Sequence, residues 1–211
     1  HGINRSGQVA GSSVASLSPY VYRAFVFSGG TIPADLGTLG GTSSAALRIN
    51  DGAQVTGFSY LTGDAAWHAF LYTAGKMTDL GTLGGAFSIG ADINNSGQVA
   101  GYSDIADNAA QHAFLYSSGS MTDLGTLGGT NSNGLGINAS GQVTGWSDTA
   151  GDAASHAFLY SGGTMTDLGT LGGTWSAGEA INASGQVAGR SRTSGGDSHA
   201  FLFSNGTMFD L

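Results

Sequence analysis

The heptapeptide Asp-Leu-Gly-Thr-Leu-Gly-Gly begins at Asp35, Asp79, Asp123 and Asp167, each start 44 residues after the last, and a shortened Asp210-Leu211 follows the series. A fixed period of this length constrains the fold more than any local propensity. Each unit must be one supersecondary element that buries its apolar face against the next. Two further motifs keep the same phase. Ile-Asn-x-x-x-Gln-Val-x-Gly begins at Ile3, Ile49, Ile93, Ile137 and Ile181. His-Ala-Phe-Leu begins at His68, His112, His156 and His199, with Arg23-Ala-Phe-Val in the first unit. The chain therefore divides into five units, approximately 1–41, 42–85, 86–129, 130–173 and 174–211.

Within a unit every apolar run spans 4 to 7 residues and is closed by a glycine turn, which reads as four short strands, a to d. Strand a ends in Ile-Asn and turns through segments such as Asn138 to Gly141, with Asn first and Gly fourth, as a type I hairpin turn with a glycine bulge requires. Strand b is Gln-Val-x-Gly-x-Ser and strand c is His-Ala-Phe-Leu-Tyr-Ser. Strand d, Met-Thr-Asp-Leu-Gly, follows a two-residue turn ending in Gly, such as Ala74-Gly75 or Ser118-Gly119. Strand c is apolar or small on both faces: His112, Phe114 and Tyr116 alternate with Ala113, Leu115 and Ser117. Such a strand needs cover on both sides. The pattern predicts an all-β, five-bladed β-propeller of four-stranded antiparallel blades forming one domain over 1–211. A parallel β-helix is disfavoured because two tight hairpins per unit reverse the chain. An open stack of sheets is the remaining alternative. Both chain ends fall in the same joint, Gly2-Ile3-Asn4 in strand a and Asp210-Leu211 in strand d, so ring closure would rest on packing between the first and fifth units. The start at His1 without Met reads as a mature form or a fragment, and the chain as a possible piece of a longer array.

Composition narrows the function. With 38 Gly, 2 Pro and no Gly-X-Y period, the chain is neither collagen-like nor a Pro/Gly-rich disordered segment. Six Lys and Arg against 14 Asp and Glu leave a net charge of −8, which provides no basic footprint for nucleic acid or anionic membrane. There is no apolar run long enough to span a membrane as a helix, and no signal-peptide pattern. The absence of cysteine rules out a disulfide framework and Cys-ligated metal sites.

Together, Asp-Leu-Gly-Thr-Leu-Gly-Gly, Ile-Asn-x-x-Gly-Gln-Val and His-Ala-Phe resemble the HAF-repeat family of extracellular bacterial repeat proteins, and the resemblance covers essentially the whole chain. Two positions depart from it. Arg23 replaces the motif His, and Ile49-Asn50-Asp51-Gly52-Ala53 moves the turn Gly one place forward. The resemblance implies a secreted or cell-surface bacterial protein and transfers no reaction.

Residues present in every unit are read as structural. The motif histidines, His68, His112, His156 and His199, are placed to meet Asp79, Asp123, Asp167 and Asp210 across the c–d hairpin, since a buried His or Asp must be paired. The Leu-Gly-Gly joints read as close backbone approach near the ring axis, because no Gly-Lys-Ser/Thr or following helix makes a phosphate cradle. Asn-x-Ser/Thr at Asn4, Asn94, Asn138, Asn182 and Asn205 is explained by turn chemistry.

Function is sought where the units differ, on the side of the b–c and d–a loops. One column holds Ser12, Phe58, Tyr102, Trp146 and Arg190, and a second holds Ser43, Phe87, Asn131 and Trp175. Aromatic rings beside Asp104 and Asp148 suit sugars, since a ring covers the C–H face of a pyranose while polar groups take its hydroxyls. The alternative is that these aromatics fill gaps between blades. The loop residues Asp64, Asp104, Asp107, Asn108, Asp148, Asp152 and Asp197 have oxygen donors of the kind Ca²⁺ takes, but no EF-hand spacing. They are read as solvated loop acids, and no cofactor is expected. Arg48, Asp92 and Glu179, the only glutamate, precede the Ile-Asn motif and are the candidate catalytic set. A glycosidase needs two carboxyl groups roughly 5 to 9.5 Å apart, whereas the strand parities of Asp92 and Glu179 differ. No Ser-His-Asp set or Gly-x-Ser-x-Gly elbow supports another hydrolase. The leading expectation is an extracellular binding or scaffold module whose partner is a glycan or cell-surface polysaccharide. A glycoside hydrolase or polysaccharide lyase with one pocket near the channel mouth is the first alternative, and a structural surface repeat without a small ligand is the second.

Overall fold

In the computed structural model, which describes residues 1–30 and 32–211, each of the five units forms one antiparallel sheet whose strands pair in chain order. The first sheet holds β1 (Gly2–Ile3), β2 (Val9–Leu17), β3 (Tyr20–Phe27) and β4 (Ala34–Asp35). The second holds β5 (Gly40–Ile49), β6 (Val55–Leu61), β7 (Trp67–Thr73) and β8 (Lys76–Asp79). The third holds β9 (Gly84–Ile93), β10 (Val99–Ile105), β11 (Gln111–Ser117) and β12 (Ser120–Asp123). The fourth holds β13 (Gly128–Ile137), β14 (Val143–Thr149), β15 (Ser155–Ser161) and β16 (Thr164–Asp167). The fifth holds β17 (Gly172–Ile181), β18 (Val187–Thr193), β19 (Ser198–Ser204) and β20 (Thr207–Asp210). Single parallel bridges, Trp67 to Phe87 and Ser155 to Trp175, join the second sheet to the third and the fourth to the fifth.

The sheets stack face to face, and the core lies in the joints between them. At the first joint Ala10, Ala24 and Leu36 of one sheet meet Ile49, Val55 and Phe70 of the next. The same columns recur at the other three joints. A face of small residues thus receives a face of large ones, which lets the sheets approach closely. The glycine of strand b follows from the same closeness. A Cβ at Gly101 would fall on the carbonyl oxygen of Ile89, where the inner strand bulges, and Gly145 stands in the same relation to Asn133.

Two side-chain systems repeat with the sheets. Asp79, Asp123, Asp167 and Asp210 lie 2.9, 2.9, 2.8 and 2.8 Å from the Nδ1 of His68, His112, His156 and His199. Asp79, Asp123 and Asp167 also accept the amide of the glycine two residues on, each at 2.7 Å. The motif asparagines form a ladder. Asn4, Asn50, Asn94 and Asn138 each donate Nδ2 to the backbone carbonyl of the next asparagine in the series, at 3.1, 2.9, 3.0 and 2.9 Å. Each Oδ1 also accepts amides of its own turn, so one residue type serves both the hairpin and the joint.

Closure differs from expectation. The packing runs from the first sheet to the fifth, and no comparable packing joins the fifth back to the first among the described residues. Ala188 and Ala200 are exposed where their counterparts Ala100 and Ala113 are fully buried, and Ile3 and Leu211 are 69% and 74% exposed. Among the described residues β1 spans two residues and the other inner strands ten, so the first sheet presents a shorter inner strand than the others.

Candidate functional site

The variable columns gather at the rim formed by the b–c loops and the starts of the inner strands. The acids and amides of the rim are used locally. Asp64 Oδ1 accepts the amide of Thr42 at 2.8 Å, Asn108 Oδ1 that of Ala86 at 2.8 Å, and Asp152 Oδ1 that of Thr130 at 2.7 Å. Asp64, Asp107, Asn108 and Asp152 have positive φ, a conformation that Asn and Asp tolerate better than most residues. Hydrogen bonds from the Thr130 hydroxyl and amide hold the Asp152 carboxyl below its usual range. Among the described residues no three His, Asp or Glu side chains are grouped to hold a metal ion. The Gly-Gly pairs sit at this rim too: a Cβ at Gly85 would meet Ile105 O and the side chains of Asp104 and Asn108, so their close approach is to the b–c loop of the same sheet.

Each joint presents the same columns with different chemistry. Along the third sheet a cleft of about 300 Å³ is lined by Trp67, Phe87, Tyr102, Asp104 and Gln111, with Ser88 and Ile89 at its floor. Trp67 and Phe87 stack with ring centroids 3.9 Å apart and planes 30° from parallel, and Tyr60 backs Trp67 at 5.4 Å. Gln111 Nε2 donates to Asp104 Oδ1 at 3.2 Å, leaving the other carboxylate oxygen and the amide oxygen as acceptors. Burial pushes the Tyr102 phenol above its ordinary value. Phe87, Tyr102 and Asp104 are thus brought together. Trp67 and Gln111, first residues of strand c, lie outside both variable columns; their only signal in the sequence is that the residue before each motif His varies from unit to unit.

The remaining candidates are dispersed. Phe58 packs edge-on against Tyr22 at 6.4 Å, and burial together with Tyr60 pushes the Tyr22 phenol up to about 12. At the next joint polar side chains are tied to one another: Asp148 accepts from Asn131 Nδ2 at 3.1 Å and from Ser155 Oγ at 2.6 Å. Trp146 is half-buried in the same column. Trp175 lines a second cleft with Arg190 and Arg192.

The catalytic candidates do not converge as an acid and base. Asp92 accepts the amides of Ile93 at 2.9 Å and Ile137 at 3.0 Å, with Arg48 Nε 3.8 Å away, so it fastens one inner strand to the next. Burial raises its carboxyl above the ordinary value, against the pull of the two amides and Arg48. Glu179 accepts from Arg190 Nε at 2.6 Å. Arg48 and Glu179 share a hollow of about 380 Å³ whose lining does not include Asp92.

No family model matches the chain, and no curated protein matches its sequence. Solved structures resemble its fold. TolB from Acinetobacter baumannii superposes with a TM-score of 0.63 at 16% identity, over 97% of this chain and 52% of TolB. The β-propeller domain of the Trilobed protease from Pyrococcus furiosus, which has an open velcro topology, gives 0.59 at 9% identity, over 90% of this chain and 60% of that one. The acylaminoacyl peptidase from Pyrococcus horikoshii gives 0.59 at 11% identity, over 90% and 30%. The chain thus spans less than two thirds of each of these proteins. At such identities the likeness establishes an all-β, propeller-like fold and carries no activity.

Proposed function

We propose that this chain is a β-propeller binding module of five blades that recognises glycans in the cleft between Trp67 and Gln111. The carrying observation is the pairing, in one hollow of about 300 Å³, of a stacked Trp67–Phe87 wall with the Asp104–Gln111 polar pair. A pyranose has an apolar C–H face and a rim of hydroxyls. The aromatic wall takes the first, and the free oxygens of Asp104 and Gln111 take the second. The half-burial of Phe87 and Tyr102 supports this, because side chains serving only as filler between sheets would be fully covered. Placement outside the cell, at a bacterial surface, and membership of the HAF-repeat proteins belong to the same proposal and rest on the repeated motifs. The rival enzyme needs two free carboxyl groups, whereas Asp92 and Glu179 are each engaged elsewhere.

A glycan array probed with the wild type and with Trp67→Ala and Asp104→Asn tests this. Wild-type binding to at least one class of neutral saccharide, lost in both variants, is expected. No binding above background, or binding indifferent to both substitutions, overturns it.

A further inference from the structure

The joint between the fourth and fifth sheets carries a second cleft, of about 540 Å³, built on the same repeat positions as the first. Ser155 stands where Trp67 does, Trp175 where Phe87 does, Arg190 for Tyr102, Arg192 for Asp104 and Ser198 for Gln111. The scaffold is shared, so the exchanged side chains decide what each cleft selects. We propose that this second cleft binds a sugar bearing a carboxylate, a uronic acid unit of a polysaccharide, with its ring on Trp175 and its carboxylate in the fork of Arg192. The assignment rests on the glycan reading above and names the ligand class of a second, distinct subsite.

Charge is the first support. The chain has only six Lys and Arg and a net charge of −8, yet two guanidinium groups share this wall. Their states differ. Arg190 is committed through Nε to Glu179 at 2.6 Å, which fixes its plane, whereas Arg192 makes no ion pair among the described residues and is exposed. The one acid on the wall, Asp152, is occupied: its Oδ1 takes the Thr130 amide and its Oδ2 the Thr130 hydroxyl, both at 2.7 Å. Arg192 therefore keeps its donors for a ligand. A neutral sugar seated on Trp175 would partly desolvate that guanidinium without matching its charge. A carboxylate matches both the charge and the planar, two-pronged geometry. The hydroxyls of Ser155 and Ser198, smaller than the Trp67 and Gln111 they replace, leave room for the extra group.

The test titrates the full chain with galacturonate and glucuronate oligomers and with their methyl esters, which keep the ring and lose the charge, using calorimetry and tryptophan emission. At least one acid oligomer is expected to bind tenfold or more tightly than its ester. Arg192→Ala should weaken it at least tenfold, and Lys76→Ala, a cation outside both clefts, should leave it unchanged. Equal binding of acid and ester, or an indifferent Arg192→Ala, overturns the assignment. Neutral binding through Trp67 without acid binding refutes this subsite alone. Acid binding that depends on Arg192 without any saccharide in the Trp67 cleft upholds it and refutes the other.

Discussion

Individual residues show where the repeat has been altered at a cost. Asn133 stands on the inner strand where other units have Ala45, Ile89 and Ala177, and its buried Oδ1 has no protein hydrogen-bond partner among the described residues. An unpaired buried acceptor costs about 1–3 kcal/mol, so Asn133→Ala is expected to raise stability by about 1 kcal/mol or more in chemical denaturation. Asp92 is the second exception. Its carboxyl is raised by burial, so between the ordinary value of 3.8 and the raised one the native chain keeps a proton that the unfolded chain has released. The contribution of Asp92 to stability must fall as pH rises through that interval and level off above it. Melting curves across weakly acidic pH should show this slope in the wild type and not in Asp92→Asn. Neither feature was legible beforehand: spacing marks Asp92 as unusual, but only the bulged inner strand turns it toward the amide of Ile137.

At the scale of the element, the sequence is most informative about turns and least about joints. Asn138 to Gly141 is readable as a hairpin turn from its residue types alone. That the Asn138 amide also reaches Asn182 O in the next sheet is not, because the contact spans 44 residues and depends on how the sheets stack. Asn138→Ala removes that bond together with those to Ser140 and Gln142, and is expected to cost about 2–4 kcal/mol. Asn182 makes the local bonds, reaches no further sheet among the described residues and is exposed, so Asn182→Ala should cost clearly less by the same denaturation measurement. Equal costs would show that the turn, not the ladder, carries the asparagine. The motif histidines illustrate the favourable case: their partners lie 11 residues away on the adjacent strand, and hairpin register places them together.

For the molecule as a whole, the period made the four-stranded units readable, while closure was not, since periodicity is silent about the angle between sheets. The open faces at the two ends are the two halves of the internal joint. Ala188, Ala200 and Leu211 are uncovered at one end, and Ile3 is exposed beside the half-buried Val9 and Phe25 at the other. In a stacked array each added neighbour contributes its interface energy. Fusing one more repeat with the Ile, Val and Phe columns after Leu211 is therefore expected to raise the melting temperature by about 5 °C or more in calorimetry. The candidate site shows the same division: the variable columns were visible in sequence, but their gathering into two clefts of opposite character depended on Trp67 and Arg192, which no pattern singled out.

Glycan recognition in the Trp67 cleft is tested most directly by stoichiometry. Calorimetric titration of the intact chain with a neutral oligosaccharide retained on the array should give about one site per chain, weakened at least tenfold by Trp67→Ala. Four or five equivalent sites, as a ligand of the repeated framework would give, or an isotherm untouched by that substitution, would contradict it.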